Sequence, residues 1–192
     1  MCASNGIRAQ YRYDKNDMQT EVLYGNGLRT SYTYDERSQL TGMESVLKDG
    51  RILHKASYSY DNAGNRIVKS TDGRTERYLY NNRNQLTELH REKDVVRYSY
   101  DPAGNLTEEN YHTADGESTQ KLRYAYDVYN RNVSVTGDDF TQKNHYDAEG
   151  YRDSITEQDK VTNFVYQCGM LLHELDEEKI RQGIMYLAMM KI

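Results

Sequence analysis

The sequence has no tryptophan, two phenylalanines and only 36% apolar residues among its 192, with a mean hydropathy of -1.00. A conventional two-layer core is difficult to fill from that stock. The two cysteines, Cys2 and Cys168, stand near opposite ends without the spacing of a metal site or a disulfide framework, and they read as unpaired thiols. No stretch approaches the roughly 18 consecutive apolar residues of a membrane-spanning helix, so such a span is excluded. Residues 1–10 contain no apolar h-region, so no signal peptide is read in this chain. Charge of neither sign forms a block. The 25 basic and 30 acidic residues leave a formal charge of -5, without the basic patch expected of a nucleic-acid binder.

What the chain does have is tyrosine, 19 of them, in a composition that is 11% aromatic. Disordered chains are poor in aromatics, and these aromatics keep a strict period. The motif Tyr-x-Tyr-Asp recurs as Tyr11-Arg12-Tyr13-Asp14, Tyr32-Thr33-Tyr34-Asp35, Tyr58-Ser59-Tyr60-Asp61 and Tyr78-Leu79-Tyr80-Asn81. It continues as Tyr98-Ser99-Tyr100-Asp101, Tyr124-Ala125-Tyr126-Asp127, Asn144-His145-Tyr146-Asp147 and a degraded Phe164-Val165-Tyr166-Gln167. Successive fourth positions lie 21, 26, 20, 20, 26, 20 and 20 residues apart, and the eight copies hold 14 of the 19 tyrosines. A period near 20 residues marks a repeat array. Tyrosine must then serve as the core residue, burying about 150–250 Å² per ring while its hydroxyl still needs a partner.

In a strand, the two tyrosines of Tyr-x-Tyr point to one side and the residue between them points away. The intervening residue varies freely through Arg12, Thr33, Ser59, Leu79, Ser99, Ala125, His145 and Val165. One face is therefore fixed and aromatic while the other is free. The Asp opens a turn. Three positions after it stand Asp17, Ser38, Gly64, Asn84, Gly104, Asn130 and Gly150, mostly types that tolerate the left-handed conformation. That pattern predicts a type I turn closed by a bulge, with the Asp side chain accepting backbone amides. Between copies, Asn26-Gly27, Asp49-Gly50, Asp72-Gly73 and Asp115-Gly116 predict two-residue hairpins with both central residues at positive φ. Weaker signals stand at Asp94, Asp138-Asp139 and Asp159-Lys160. Two turns per period predict an all-β antiparallel meander of about fifteen strands, with helix confined to the tail. The steps of 26 predict longer hairpins ending at Asp49-Gly50 and Asp115-Gly116.

The segments Tyr60-Asp61-Asn62-Ala63-Gly64-Asn65-Arg66 and Tyr100-Asp101-Pro102-Ala103-Gly104-Asn105-Leu106 closely resemble the YD repeats of the RHS family. That family includes bacterial polymorphic toxins, wall-associated proteins, cage subunits of insecticidal toxin complexes, and teneurins. The resemblance runs over about residues 11–175 and implies a curved single-layer ribbon, part of a spiral β-shell that encloses a toxin domain or scaffolds adhesion. The expected organisation is a lead-in over 1–10, the array over 11–175, and a tail over 176–192 of uncertain structure. An array whose first copy begins at Tyr11 without a capping unit is expected to be a piece of a longer one. The function implied is a non-enzymatic shell segment whose partners are the remainder of the shell and an enclosed C-terminal effector. The parent is implied to be secreted or at a cell surface. The alternative is a binding module that contacts carbohydrate or a cell-surface protein through hairpin ends and free tyrosines.

Chemistry is weighed against structure at each candidate. Asp101-Pro102-Ala103-Gly104 superficially matches the Asp-Pro-x-Gly pattern of the family's self-cleavage site, yet it sits in register with the ordinary repeat turn, where proline fits the first central position. The histidines His54, His90, His112, His145 and His173 lie in different units without metal spacing. Calcium needs about six to eight oxygens, and each turn offers one reliable carboxylate. Tyr24, Tyr111, Tyr129, Tyr151 and Tyr186 fall outside the motif, and Tyr111 and Tyr129 are the candidate binding residues. No nucleophile elbow, phosphate-binding glycine loop or Ser/His/Asp order occurs, so neither catalytic residue nor cofactor nor metal ligand is expected. The repeat motif itself supplies the structural site residues, down to the third copy's Tyr58, Tyr60, Asp61 and Gly64.

Overall fold

The computed structural model describes residues 8–176 of the chain, and every regular element among them is a β-strand. Sixteen strands form one antiparallel sheet in strict sequence order, so sheet neighbours are chain neighbours. The Tyr-, Val- and Thr-rich segments suit a pleated, half-buried surface, and the turn signals between them fix where each strand ends. The tail over residues 177–192, with Tyr186, lies outside the described residues, as does Cys2.

The backbone divides between Val96 and Arg97 into two compact units. The first holds β1 (Ala9–Tyr13), β2 (Gln19–Tyr24), β3 (Arg29–Tyr34), β4 (Leu40–Val46), β5 (Ile52–Tyr60), β6 (Arg66–Thr71), β7 (Arg74–Tyr80) and β8 (Leu86–His90). The boundary falls inside β9 (Asp94–Tyr100). The second unit holds β10 (Leu106–Thr113), β11 (Ser118–Tyr126), β12 (Asn132–Thr136), β13 (Thr141–Tyr146), β14 (Arg152–Glu157), β15 (Lys160–Gln167) and β16 (Met170–Asp176). The two steps of 26 residues correspond to the longest strands, β5 and β11, of nine residues each.

In both units the strand carrying Tyr-x-Tyr presents alternating faces. Arg12, Thr33, Ser59, Leu79, Ser99, Ala125, His145 and Val165 are all exposed, while the tyrosines from β3 onward are half-buried or buried. Several first tyrosines of the motif face apolar cross-strand partners, Tyr32 opposite Met43, Tyr78 opposite Leu89 and Tyr124 opposite Val135, whereas Tyr58 faces Lys69. The buried apolar positions are small side chains upstream of the motif, Ala56 and Val96, together with Val22, Tyr78 and Leu89, and Thr30 is buried to a similar degree. Large rings beside small residues let a polar chain close a core. Tyr11 and Tyr13 depart from this. Both are more than half exposed, because among the described residues β1 has a neighbouring strand on one side only.

The first seven copies of the motif end in the same closed loop. In one copy Asp61 N donates to Asn65 O at 2.9 Å and Gly64 N donates back to Asp61 O at 3.1 Å. The residue three after the Asp is left-handed in all seven loops, with φ of 59° at Asp17, 62° at Ser38, 90° at Gly64, 59° at Asn84, 96° at Gly104, 60° at Asn130 and 88° at Gly150.

The Gly-containing hairpins at the opposite strand ends correct the sequence reading. Only Asp72-Gly73 has both central residues at positive φ, 51° and 85°. At Gly27, Gly50 and Gly116 the glycine alone is left-handed, because the loop holds three residues rather than two. Gly25-Asn26-Gly27, for example, sits between Tyr24 and Leu28, whose backbones are bonded at 2.9 Å. Only the last residue of such a loop must be left-handed. The turn expected at Asp159-Lys160 lies one residue earlier, with Gln158 at φ 53° and Lys160 opening β15. Asp94 likewise opens β9, and the bend falls on Glu92 and Lys93. Cys168-Gly169 makes a further two-residue turn, φ 51° and 76°, that carries no signal in the pattern of Asn and Asp. Cys168 is free and exposed there.

Candidate functional site

The site is the repeat junction, built from a turn carboxylate, a tyrosine hydroxyl and a bulged strand. Oδ1 of Asp61 accepts the amides of Ala63 and Asn65, both at 2.9 Å. The same pair of bonds, to the second and fourth residues after it, recurs at Asp14, Asp35, Asn81, Asp127 and Asp147. Asp101 accepts from Asn105 in the same way, at 2.8 Å. Asn81 works as well as aspartate because both bonds use one side-chain oxygen that either residue provides. In the sixth copy Arg131 Nε donates to the second carboxylate oxygen of Asp127 at 2.7 Å, and in two further copies an asparagine amide does so, from Asn65 Nδ2 at Asp61 and from Asn105 Nδ2 at Asp101, both at 2.9 Å. Those asparagine donors are the largest cause holding the Asp61 and Asp101 carboxyls below their ordinary range.

The second tyrosine of the motif reaches back one repeat. Tyr34 Oη donates to Gln19 O at 2.9 Å, Tyr60 to Leu40 O at 2.8 Å and Tyr80 to Arg66 O at 3.0 Å. In the second unit Tyr146 donates to Asn132 O at 2.9 Å and Tyr166 to Arg152 O at 3.2 Å. The acceptor is always the fifth residue after the preceding copy's Asp. Just there the ladder is irregular. Registers shift between Arg12 and Tyr13, Thr33 and Tyr34, Ser59 and Tyr60, and Leu79 and Tyr80, and likewise before Tyr126, Tyr146 and Tyr166. The extra residue falls on the following strand, at Thr20, Thr41, Ile67, Thr87, Val133, Asp153 and Leu172. A bulge bends and twists its strand, and the hydroxyl pins the carbonyl next to it. Sequence reasoning placed the tyrosines on one face but missed this bulge and the acceptor. The invariance of tyrosine over phenylalanine at the second position, in all eight copies, was the available signal.

Burial is the first cause that raises the pKa values of Tyr32, Tyr60 and Tyr80. Tyr78 is pushed from the ordinary 10.0 up to about 12, by burial and by the hydrogen bond it donates to Glu76 Oε2 at 2.6 Å. Tyr124 is raised as well, by burial and by the charge of Glu109. Two limbs of pH dependence are expected. The turn carboxylates have lowered values in the folded state, so their contribution is complete above the ordinary range near about 4 and is lost as pH falls through the folded values. The tyrosines have raised values, so their contribution is complete below 10.0 and is lost as pH rises toward about 12. Denaturation midpoints measured against pH should show a mid-range plateau with both limbs. A midpoint that holds steady from the plateau down to about pH 2 would contradict the role of the turn carboxylates.

The remaining candidates are placed as follows. Tyr111 lies half-buried in β10, its hydroxyl donating to Glu109 Oε2 at 2.7 Å. Tyr129 is 75% exposed in the turn after Asp127, its ring over the Arg131 guanidinium at 5.1 Å. Tyr111 pairs with Gln120 near the start of β11 while Tyr129 lies in the turn beyond the end of that strand, so the two stand at opposite ends of it. Tyr151 stacks on Tyr166 with ring centroids 5.0 Å apart. His54 pairs with Asp72, His90 with Glu88 and His145 with Asp153, each a separate two-residue contact. Among the described residues no group of three metal-ligating side chains converges. Pro102 stands inside the loop of the fifth copy, whose Asp101 N to Asn105 O bond is 2.9 Å. A cleft of about 610 Å³ at the ends of the β2–β3 and β4–β5 hairpins is lined by Leu23, Tyr24, Arg29, Leu47 and Lys48, and holds no nucleophile beside a base.

The RHS Repeat family profile matches residues 80–118, from the fourth turn through β10 to the first residue of β11. The chain is an array of RHS repeats. Two curated proteins are similar to it: the tRNA nuclease WapA of Bacillus subtilis (strain 168), 32% identical over 140 residues, and the tRNA3(Ser)-specific nuclease WapA of Bacillus spizizenii, 32% identical over 149 residues. The matches cover 68% and 72% of the RHS array's chain but only 5% and 6% of those relatives. Among solved structures, TcdB2-TccC3 without its hypervariable C-terminal region superposes with a TM-score of 0.70 at 17% identity, covering 91% of this chain and 10% of that one. The TcdB2-TccC3-TEV structure follows at 0.54 and 15%, covering 88% and 12%. The RHS array therefore shares its fold with a segment of TcdB2-TccC3.

Proposed function

We propose that this chain is a non-enzymatic length of RHS wall that surrounds or presents a C-terminal effector domain in a longer, exported protein. The observation that carries this reading is that the repeat's chemically capable groups serve its own backbone. Turn carboxylates accept loop amides and motif hydroxyls donate to strand carbonyls, in copy after copy. Such groups hold a scaffold rather than turn over a substrate. The similarity to about a twentieth of two proteins named as nucleases supports an activity that lies elsewhere in such chains. The partners of the wall are further wall and the effector.

The test uses the full-length product of the gene that carries this array. Limited proteolysis should leave the segment following the array protected until the wall is unfolded by denaturant, and the 192-residue chain alone should leave tRNA intact. Cleavage of the following segment at the same rate before and after unfolding, or tRNA cleavage by the chain alone, would overturn the proposal.

A further inference from the structure

In five turns the fourth residue after the Asp, a position that the motif does not include, reaches the next turn. Asn65 Nδ2 donates to Asn84 Oδ1, and Asn105 Nδ2 donates to Asn130 Oδ1, both at 2.9 Å. Asn84 and Asn130 are the left-handed residues of the following turns. From the second turn on, the fourth residue is elsewhere longer and the left-handed residue it meets is glycine; the first turn, with Met18 ahead of Ser38, stands outside this pairing. Gln39 Nε2 donates to Gly64 O at 3.5 Å and stands 3.2 Å from where a β-carbon on Gly64 would lie. Arg131 Nη1 stands 3.9 Å from the same point at Gly150, and Tyr151 Oη stands 3.1 Å from it at Gly169.

We infer that this pair of positions is a size code that decides which repeat can stack on which: a short amide selects asparagine in the next turn, and a long side chain selects glycine. The left-handed backbone alone does not predict this, since asparagine and glycine both tolerate it wherever it occurs. The distances do predict it. A β-carbon on Gly64 or Gly169 would press on the end of Gln39 or Tyr151 and force it to shift, whereas Asn65 and Asn105 are short enough to leave room for an amide to receive them. The same amides also bind their own turn carboxylates, Asp61 and Asp101, so the code couples the closure of one loop to the identity of the next. The turn edge of a repeat is thus a selective interaction surface, and the partner it fits is a YD-repeat turn of matching size class. This holds whether or not the wall encloses an effector.

Two double-mutant cycles in the whole chain test the code. In the first, Gln39→Asn and Gly64→Asn are measured singly and together, which converts a long–glycine pair into an Asn–Asn pair. In the second, Asn65→Gln and Asn84→Gly make the opposite conversion. The expected result in both is that the double variant recovers at least about twofold in the folding equilibrium constant over the product of the single losses. Cycles that close multiplicatively would overturn the inference. Should a single variant of the first cycle fail to fold, the second decides, since Asn84→Gly only removes atoms. Solvent exchange of the Asn65 side-chain amide supplies an independent reading. It should be slow in the parent chain and at least about tenfold faster in Asn84→Gly, and equal rates in the two would also overturn the code.

Discussion

Tyr78→Ala is expected to destabilise the chain by about 3–5 kcal/mol, the range for removing a buried aromatic side chain. Tyr78 is 8% exposed and opposes the buried Leu89. Its ring lies 4.8 Å from the Arg66 guanidinium, and its hydroxyl donates to Glu76. Truncation therefore opens a cavity and releases Glu76 from its closest donor. Two companions separate the contributions. Tyr80→Phe keeps the ring but leaves the Arg66 carbonyl without the hydroxyl now 3.0 Å away, a loss of about 1 kcal/mol for one net hydrogen bond. Ser59→Ala, on the exposed face, should stay within about 0.5 kcal/mol of the parent. Urea unfolding of the three variants reads all of these. Equal losses at Tyr78 and Ser59 would mean that the two faces of the sheet are energetically alike.

The fold was legible because the repeat writes both of its periodicities openly. Alternation around Tyr-x-Tyr gives the face, and Asp followed three residues later by Gly or Asn gives the turn, so the strand order needs no long-range guess. What stayed hidden has a physical pattern as well. Bulges at Thr20, Thr41 and Thr87 depend on pairing across strands, and no single strand records its register. The Asn-Gly and Asp-Gly pairs were read as two-residue turns because local sequence names the left-handed residue without fixing loop length. Arg66 and Arg131 escaped notice because a lone arginine after a turn looks solvated. In the fold Arg66 lies over Tyr78, while Arg131 lies 4.7 Å from the Tyr146 ring centroid and forms a 2.7 Å ion pair with Asp127. The fourth position after the Asp did leave a trace, since Gln39, Asn65, Gln85 and Asn105 are all amides at one place in the repeat.

Gly27→Val is expected to cost more than Gly50→Val, although the two glycines share a φ of 86° and the same three-residue loop. At Gly50 nothing lies within 4 Å of where a β-carbon would stand, so valine there reports backbone strain alone, about 1–3 kcal/mol for a β-branched residue held left-handed. At Gly27 the same atom would lie 2.9 Å from Lys48 Cβ, close to the backbone rather than at the free end of that side chain. The clash cannot be relieved by swinging the ammonium away, so overpacking of about 1 kcal/mol or more adds to the strain. Asparagine separates the two effects. Gly50→Asn should cost less than Gly50→Val, because asparagine already occupies the equivalent loop position at Asn84 and Asn130 with φ of 59° and 60°. Gly27→Asn should remain costly, since its Cβ meets the same lysine. Urea midpoints for the four variants give the ordering directly. If Gly27→Val and Gly50→Val proved equal, the approach of the two neighbouring hairpins at Lys48 would not be tight in solution.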